Sequence, residues 1–268
     1  MSDLQYVHGY SAREAERLSD QANALAALLH DRVRYAPGRR VLEAGCGTGA
    51  QTVFLAANSP EARIVSVDRS PASLEQARAR VAAAGLGNVE FHCADLFDQP
   101  FAAESFDDAF VCFVLEHLAE PKKALSVLRR MLKQGGTITA IEGDHGSWYC
   151  YPQTEAAART VQCLIQMQAR LGGDSLIGRR VYPLLVEAGF ANVHVTPRMV
   201  YVDGSRPDLI ESFSKNTFIA MVRGVRDAAL AHGLISESEW DRGIADLYRA
   251  AEPDGTFCYT FFRGCATK

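Results

Sequence analysis

No stretch of this sequence is long and apolar enough to span a bilayer. Met1 to Asp20 carries charge throughout, where a secretory leader needs an apolar run. Neither a leader nor a membrane anchor is expected, and a cytoplasmic setting is. Paired cysteines are missing too: the seven cysteines are odd in number, scattered and never CxxC. This argues against a disulfide frame or a zinc site and reads as free thiols in a reducing compartment. Excess positive charge is absent. With a net charge of −4 and no basic stripe, neither nucleic acid nor an anionic membrane is an expected partner. Internal repeats and low-complexity tails are lacking. What remains is 268 residues, 48% of them apolar, enough for one substantial core with a lid.

Within that chain, one stretch organises the rest: Val41-Leu42-Glu43-Ala44-Gly45-Cys46-Gly47-Thr48-Gly49. It reads as a buried strand entering a turn with glycine at alternate positions. Glycine permits the sharp turn and lets a ligand approach the backbone closely. The helix that follows, Gln51–Asn58, offers unpaired N–H groups and a positive dipole end. The plainer alternative is a tight strand-to-helix turn.

Around this stretch the pattern alternates. Strands are expected at Val41–Glu43, Ala62–Val67, Val89–Cys93, Phe106–Val114 and Thr137–Glu142. Helices are expected at Pro71–Ala84, with Ser70 as cap, and at Pro121–Leu132. Upstream, Ala12–Tyr35 has helical spacing, opened by a Ser11/Glu14 capping box. Downstream the rhythm changes to helices at Pro152–Leu171, Gly178–Ala188, Pro207–Gly233 and Glu237–Ala251, the last after Ser236. Strands Val193–Tyr201 and Thr256–Arg263 complete the count. The fold class implied is α/β: a doubly wound, mostly parallel seven-stranded sheet with helices on both faces, the last strand antiparallel, plus helical lid elements. Ligands of such sheets bind at the carboxyl ends of the strands.

Asp68 ends the second strand, where a carboxylate can accept both hydroxyls of a ribose. Its plainer reading is an acid complementing the next helix dipole. Asp95 follows the third strand, placed to accept an exocyclic amine while Leu96 packs on the ring. Its plainer reading is a turn acid with a local backbone bond.

Together these pieces resemble the class I S-adenosylmethionine-dependent methyltransferases. The resemblance rests on Val41–Gly49 with its Glu43, on Asp68, and on Ala94-Asp95-Leu96-Phe97 with Pro100-Phe101. It continues in Ser105-Phe106-Asp107, Val114-Leu115-Glu116-His117-Leu118 and Leu132-Lys133-Gln134-Gly135-Gly136-Thr137, where Gln134 replaces the family's usual proline. It covers residues 39–145 and thins beyond. It implies S-adenosyl-L-methionine as cofactor and S-adenosyl-L-homocysteine as product. Gly45, Gly47, Gly49 and Asp68, with Glu43 and Arg69 beside them, would hold the amino acid and ribose. Asp95 and Leu96 would hold the adenine, Phe113 would line the methionine end, and Gln51 would reach the carboxylate. On this reading residues 1–38 form an N-terminal helical cap, 39–145 the cofactor-binding core, and 146–268 the remaining strands and lid helices of a single domain.

A nicotinamide dehydrogenase competes, since Gly45-x-Gly47-x-x-Ala50 also fits the dinucleotide pattern. Glu43 would repel a pyrophosphate, whereas a sulfonium and an ammonium tolerate carboxylates. Methyl transfer needs an aligned nucleophile, and a base only if that nucleophile arrives protonated. His145 is the leading base candidate, ahead of His117 and Glu116. Glu142, Asp144 and His145 could instead ligate a metal, but no second cluster supports one. Tyr6, Tyr10 and Trp148 flank the expected mouth, with Tyr149 and Tyr151, and would box an aromatic or cationic substrate or simply pack a lid. Asp144 and Arg198 are further substrate-binding candidates. The expectation is a methyltransferase with a small-molecule acceptor, and a homodimer is compatible with the sequence. The alternatives are an enzyme that releases methylthioadenosine and a non-catalytic cofactor-binding module.

Overall fold

The structure, a computed structural model, describes residue 22 and residues 25–268. Five parallel strands form first: β1 (Arg40–Ala44), β2 (Arg63–Asp68), β3 (Val89–Cys93), β4 (Phe106–Cys112) and β5 (Leu132–Gly143). Three more follow: β6 (Tyr149–Tyr151), β7 (Ala191–Asp203) and β8 (Thr256–Thr267). The strand order is β3-β2-β1-β4-β5-β8, and both β6 and β7 pair with β8. β8 runs antiparallel to β5, β6 and β7. The expected antiparallel last strand is present, yet it lies inside the sheet, between β5 and β7. Among the described residues the strands number eight rather than seven, because the tyrosine-rich Tyr149–Tyr151 run adds three residues of ladder beside β8.

Local sequence explains most boundaries. Ser70 accepts from Ser73 N at 3.2 Å and Pro71 occupies the first position of the Pro71–Ala83 helix. Ser236 and Glu239 close a capping box on Glu237–Ala250. Thr154 caps Glu155–Arg170, so that helix starts three residues later than the proline suggests. Of the expected Ala12–Tyr35 helix, the described part is helical through residue 29 and leaves the helix at His30. Its proposed capping box lies outside the described residues.

The single helix expected over Pro207–Gly233 is broken. A short helical turn, Pro207–Leu209, leads into a π-helix, Ile210–Ile219, then Ala220–Gly224 and, past Val225, Arg226–Ala231. Within the π-helix Thr217 Oγ1 donates to Ser212 O at 2.8 Å, and Phe213, Thr217 and Phe218 are buried. The wider coil turns these side chains onto the sheet, which a 3.6-residue period cannot do for all of them.

The core is two-sided. One face sets Phe110, Ile141, Tyr259 and Phe261 against the N-terminal helix end, Glu155–Arg170 and the π-helix. The other sets Val65, Val111 and Ala140 against Pro121–Met131 and Val181–Glu187. Phe110 is 0% exposed at the centre of β4. Phe110→Ala should therefore lower stability by about 3–5 kcal/mol, read as a shifted urea midpoint with an unchanged slope.

Candidate active site at the carboxyl edge

The Gly45–Gly49 turn grows from two facts of backbone chemistry. Gly45 N and Cys46 N both donate to Val67 O, at 2.8 and 3.1 Å, which ties the turn to the end of β2. Gly47 and Gly49 adopt φ of +52° and +77°, the left-handed region that favours glycine. A Cβ on Gly45 would lie 2.6 Å from Val114 Cγ2, and one on Gly49 would lie 2.9 Å from Ala77 Cα. Gly47 has nothing within 4 Å on that side, so the turn presents an open face there. Thr48 Oγ1 is buried without a hydrogen-bond partner.

Asp68 grips this turn. Its Oδ2 accepts from Gly47 N at 2.8 Å and its Oδ1 from Ser70 N at 2.9 Å. Each carboxylate oxygen keeps a second lone pair for a ligand. Cys93 pairs with Asp68 in the β2–β3 register, and Ala94 N donates to Asp68 O. Asp95 therefore stands on the same edge as Asp68 and the glycine turn. Its Oδ1 caps the following turn through Phe97 N at 2.8 Å, and Leu96 packs on the sheet's second face. Arg69 is exposed beside Asp68.

Glu43 is buried beneath the glycine turn. It is 2% exposed, and its Oε2 accepts from Thr52 Oγ1 at 2.8 Å and Ser66 Oγ at 2.6 Å. Burial pushes its pKa up to about 7 against these two hydrogen bonds. The expectation that it meets the cofactor gives way to a supporting role under the turn. Gln51 does not face an open carboxylate site either. Its Oε1 lies 2.6 Å from His30 Nε2, and the His30 ring stacks on Phe54 and Phe110.

The β4 and β5 ends supply the rest. Phe113 takes φ of +57°, a costly conformation for a residue with a side chain, and its ring meets Phe261 at 5.5 Å. Glu142 is 0% exposed; its Oε1 accepts from Val114 N and Leu115 N at 3.1 and 2.8 Å. Its Oε2 has no partner, and burial reinforced by Glu116 pushes its pKa well up. Glu116 accepts from Gln168 Nε2 at 3.1 Å, and His117 lies 3.6 Å from Glu116. His145 is 5% exposed, with Nδ1 2.6 Å from Tyr259 Oη. Burial, with Glu116, Asp144 and Glu142 nearby, keeps the Tyr259 hydroxyl protonated.

Two substrate-binding expectations are corrected by this geometry. Asp144 is held by a two-point ion pair with Arg179, at 2.7 and 2.8 Å, and its Oδ1 also accepts from Gly146 N at 2.9 Å, so it serves the fold rather than standing free. Arg198 turns toward Asp31, 3.5 Å away, and its Nε is buried without a partner. Trp148 packs on Phe218 at 5.9 Å. Tyr6 and Tyr10 lie outside the described residues. Among the described residues no group of three or more His, Cys, Asp or Glu side chains is arranged to hold a metal, and Asp144 is already paired. Sequence reasoning passed over His30, Tyr259 and Gln168. Tyr259 did leave a trace: it is the polar member of the alternating Phe257, Tyr259, Phe261 stripe.

Residues 41–136 match the family model described as "Methyltransferase domain". An uncharacterized 37.1 kDa protein in transposon TN4556 of Streptomyces fradiae is 32% identical over 209 residues, 77% of this chain and 59% of that one. A demethylmenaquinone methyltransferase of Clavibacter sepedonicus is 42% identical over 105 residues, 39% of this chain and 41% of that one. The chain spans about half the length of the curated relatives it matches. Phosphoethanolamine N-methyltransferase 2 of Haemonchus contortus shares the fold with a TM-score of 0.59 at 17% identity, over 96% of this chain and 57% of that one. The sheet and its glycine turn thus define a class I, Rossmann-like fold. Over residues 41–136 the chain is similar to methyltransferase domains.

The buried Glu43 gives the site a pH signature. In the fold its proton leaves near pH 7; in the unfolded chain it leaves near the ordinary value of 4.5. Between those values the folded chain holds more protons, so stability falls as pH rises through that window. Glu43→Gln should abolish on the order of 2–3 kcal/mol of that fall. Urea unfolding of both proteins at either end of the window measures it.

Proposed function

We propose that this chain transfers a methyl group from S-adenosylmethionine to a small-molecule acceptor. The observation that carries this reading is the shared edge of the Gly45–Gly49 turn, Asp68 and Asp95. The donor set fits the cofactor: an open backbone face at Gly47, a buried Thr48 hydroxyl lacking a partner, and two acids with acceptor capacity left. Bound there, the cofactor would supply an electrophilic methyl on a sulfonium. Gly47 and Thr48 would hold its amino-acid end, Asp68 the ribose and Asp95 with Leu96 the adenine. Phe113 would border the methionine end, where its strained backbone aims the ring across the β4 terminus.

At the acceptor end the chain offers His145 hydrogen-bonded to Tyr259, whose ring meets Phe213 and Phe261, with Phe113 against Phe261 beyond. Such surroundings suit an uncharged, aromatic or polyene acceptor, and exclude water from the nucleophile. The name of the Clavibacter sepedonicus relative, a demethylmenaquinone methyltransferase, is consistent with an acceptor of that kind. His145 would take the acceptor's proton, with Tyr259 fixing the ring's orientation. In this reading the helices of 146–268 form the lid over the mouth.

Calorimetric titration with S-adenosylhomocysteine should show one site per chain. Asp68→Asn should weaken it about tenfold or more, since a hydrogen bond to a charged group contributes about 1.5–3 kcal/mol. His145→Asn should leave that affinity alone and lower turnover about 10²–10⁴-fold with an active acceptor. The thioether released settles the reaction type: adenosylhomocysteine supports methyl transfer, and methylthioadenosine refutes it.

A further inference from the structure

At the opposite edge of the sheet, where β1, β4 and β5 begin, lies a second cavity of about 370 Å³. Thr137 and Thr139 of β5 and Cys265 of β8 line one side. The chain segment between the N-terminal helix and β1 lines the other, with Arg34, Tyr35 and Arg39. This cavity shares no residue with the carboxyl-edge site.

Its charge is out of keeping with the rest of the chain. Arg39 is neutralised by Asp108 through contacts of 2.6 and 2.7 Å, and Thr137 Oγ1 donates to the same carboxylate at 2.5 Å. Among the described residues the remaining lining cations, Arg32, Arg34 and Arg263, have no such two-point partner. Asp31 is the acid beside them, 3.9 Å from Arg32 and already 3.5 Å from Arg198. Arg263 donates to the backbone oxygen of Asp31 and not to its carboxylate. Four guanidiniums and one carboxylate therefore line the cavity, with Arg198 and Asp31 paired beside it, in a protein of net charge −4. Burial first, and then the neighbouring Arg198, push the pKa of Arg263 down, against the opposing pull of Asp31.

The uncharged groups point the same way. The Tyr35 hydroxyl is buried beside Thr139, and burial with Asp108 nearby keeps it protonated as a donor. Donors dominate the lining, and Asp108, its one acid, is already satisfied. The volume falls within the range of small-ligand pockets, about 300–1,000 Å³, and exceeds what a single inorganic ion fills.

We propose that this amino-edge cavity binds a multiply charged oxyanion, the phosphate or carboxylate groups of a small organic molecule, as a ligand separate from the adenosyl compound. Arg34 and Arg263 bind its charge, Tyr35 and Thr139 its remaining oxygens. Phosphates and carboxylates share this chemistry, and two probes separate them.

The test titrates the full chain calorimetrically with inorganic pyrophosphate and, separately, with citrate. Ionic strength is held constant with sodium chloride, kept low because exposed arginines are screened over about 10 Å at 0.1 M salt. At least one probe should bind with one site per chain and a Kd below about 1 mM. Arg34→Gln, an exposed change that spares the core, should weaken that binding about tenfold. Arg263→Gln should do the same. Both variants should bind S-adenosylhomocysteine as the parent does, whatever that affinity is. The proposal fails if neither probe differs from a chloride control up to about 10 mM. It also fails if Arg34→Gln and Arg263→Gln bind the probe unchanged, which would place the ion elsewhere. Because the adenosyl titration is read separately, losing it would overturn the methyltransferase reading and leave this one standing.

Discussion

Two protonatable carboxyl groups beneath the carboxyl edge hold the site in shape. Glu43 joins β1 to β2 and to the helix after the glycine turn, through Ser66 and Thr52. Glu142 joins β5 to the two amides that follow β4. Both side chains are buried, and desolvation favours their neutral forms. A neutral acid can brace strand ends without placing a fixed negative charge in the core. Asp68 and Asp95, by contrast, stay partly exposed and accept from backbone amides at the same edge. The edge thus divides its acids into braces and acceptors by depth alone.

That division explains what could be read from the sequence and what could not. The glycine turn, Asp68 and Asp95 were legible because strand ends and turn glycines leave short local patterns. The parallel half of the sheet was legible for the same reason. Depth is not local: nothing in the spacing of Glu43 says that Ser66, 23 positions on, will take up its oxygen. Asp144 looked available because Arg179, its partner, lies 35 residues away. Tyr259 reaches His145 across 114 positions. The π-helix escaped notice since residues 207–233 satisfy an ordinary helical period until the aromatic rings of Phe213 and Phe218 must both meet the sheet.

The aromatic group behind His145 is continuous. Phe218 touches Phe257 at 4.7 Å, Tyr259 touches Phe261 at 4.8 Å, and Phe213 lies about equally near Phe257, Tyr259 and Phe261. These rings join the π-helix to β8, so the lid region and the base candidate rest on one packed unit. Each such contact contributes about 0.5–1.5 kcal/mol beyond area burial. The orientation of His145 is consequently a property of the second half of the chain, while the glycine turn belongs to the first.

The placement of β8 carries a consequence for assembly. It is the last of the eight strands along the chain, yet it separates β5 from β7 and carries β6 as well. Non-local pairings of this kind form late, because loop closure must precede the contacts that reward it. During synthesis β5 would wait with one rim unpaired until residues 256–267 clear the ribosome.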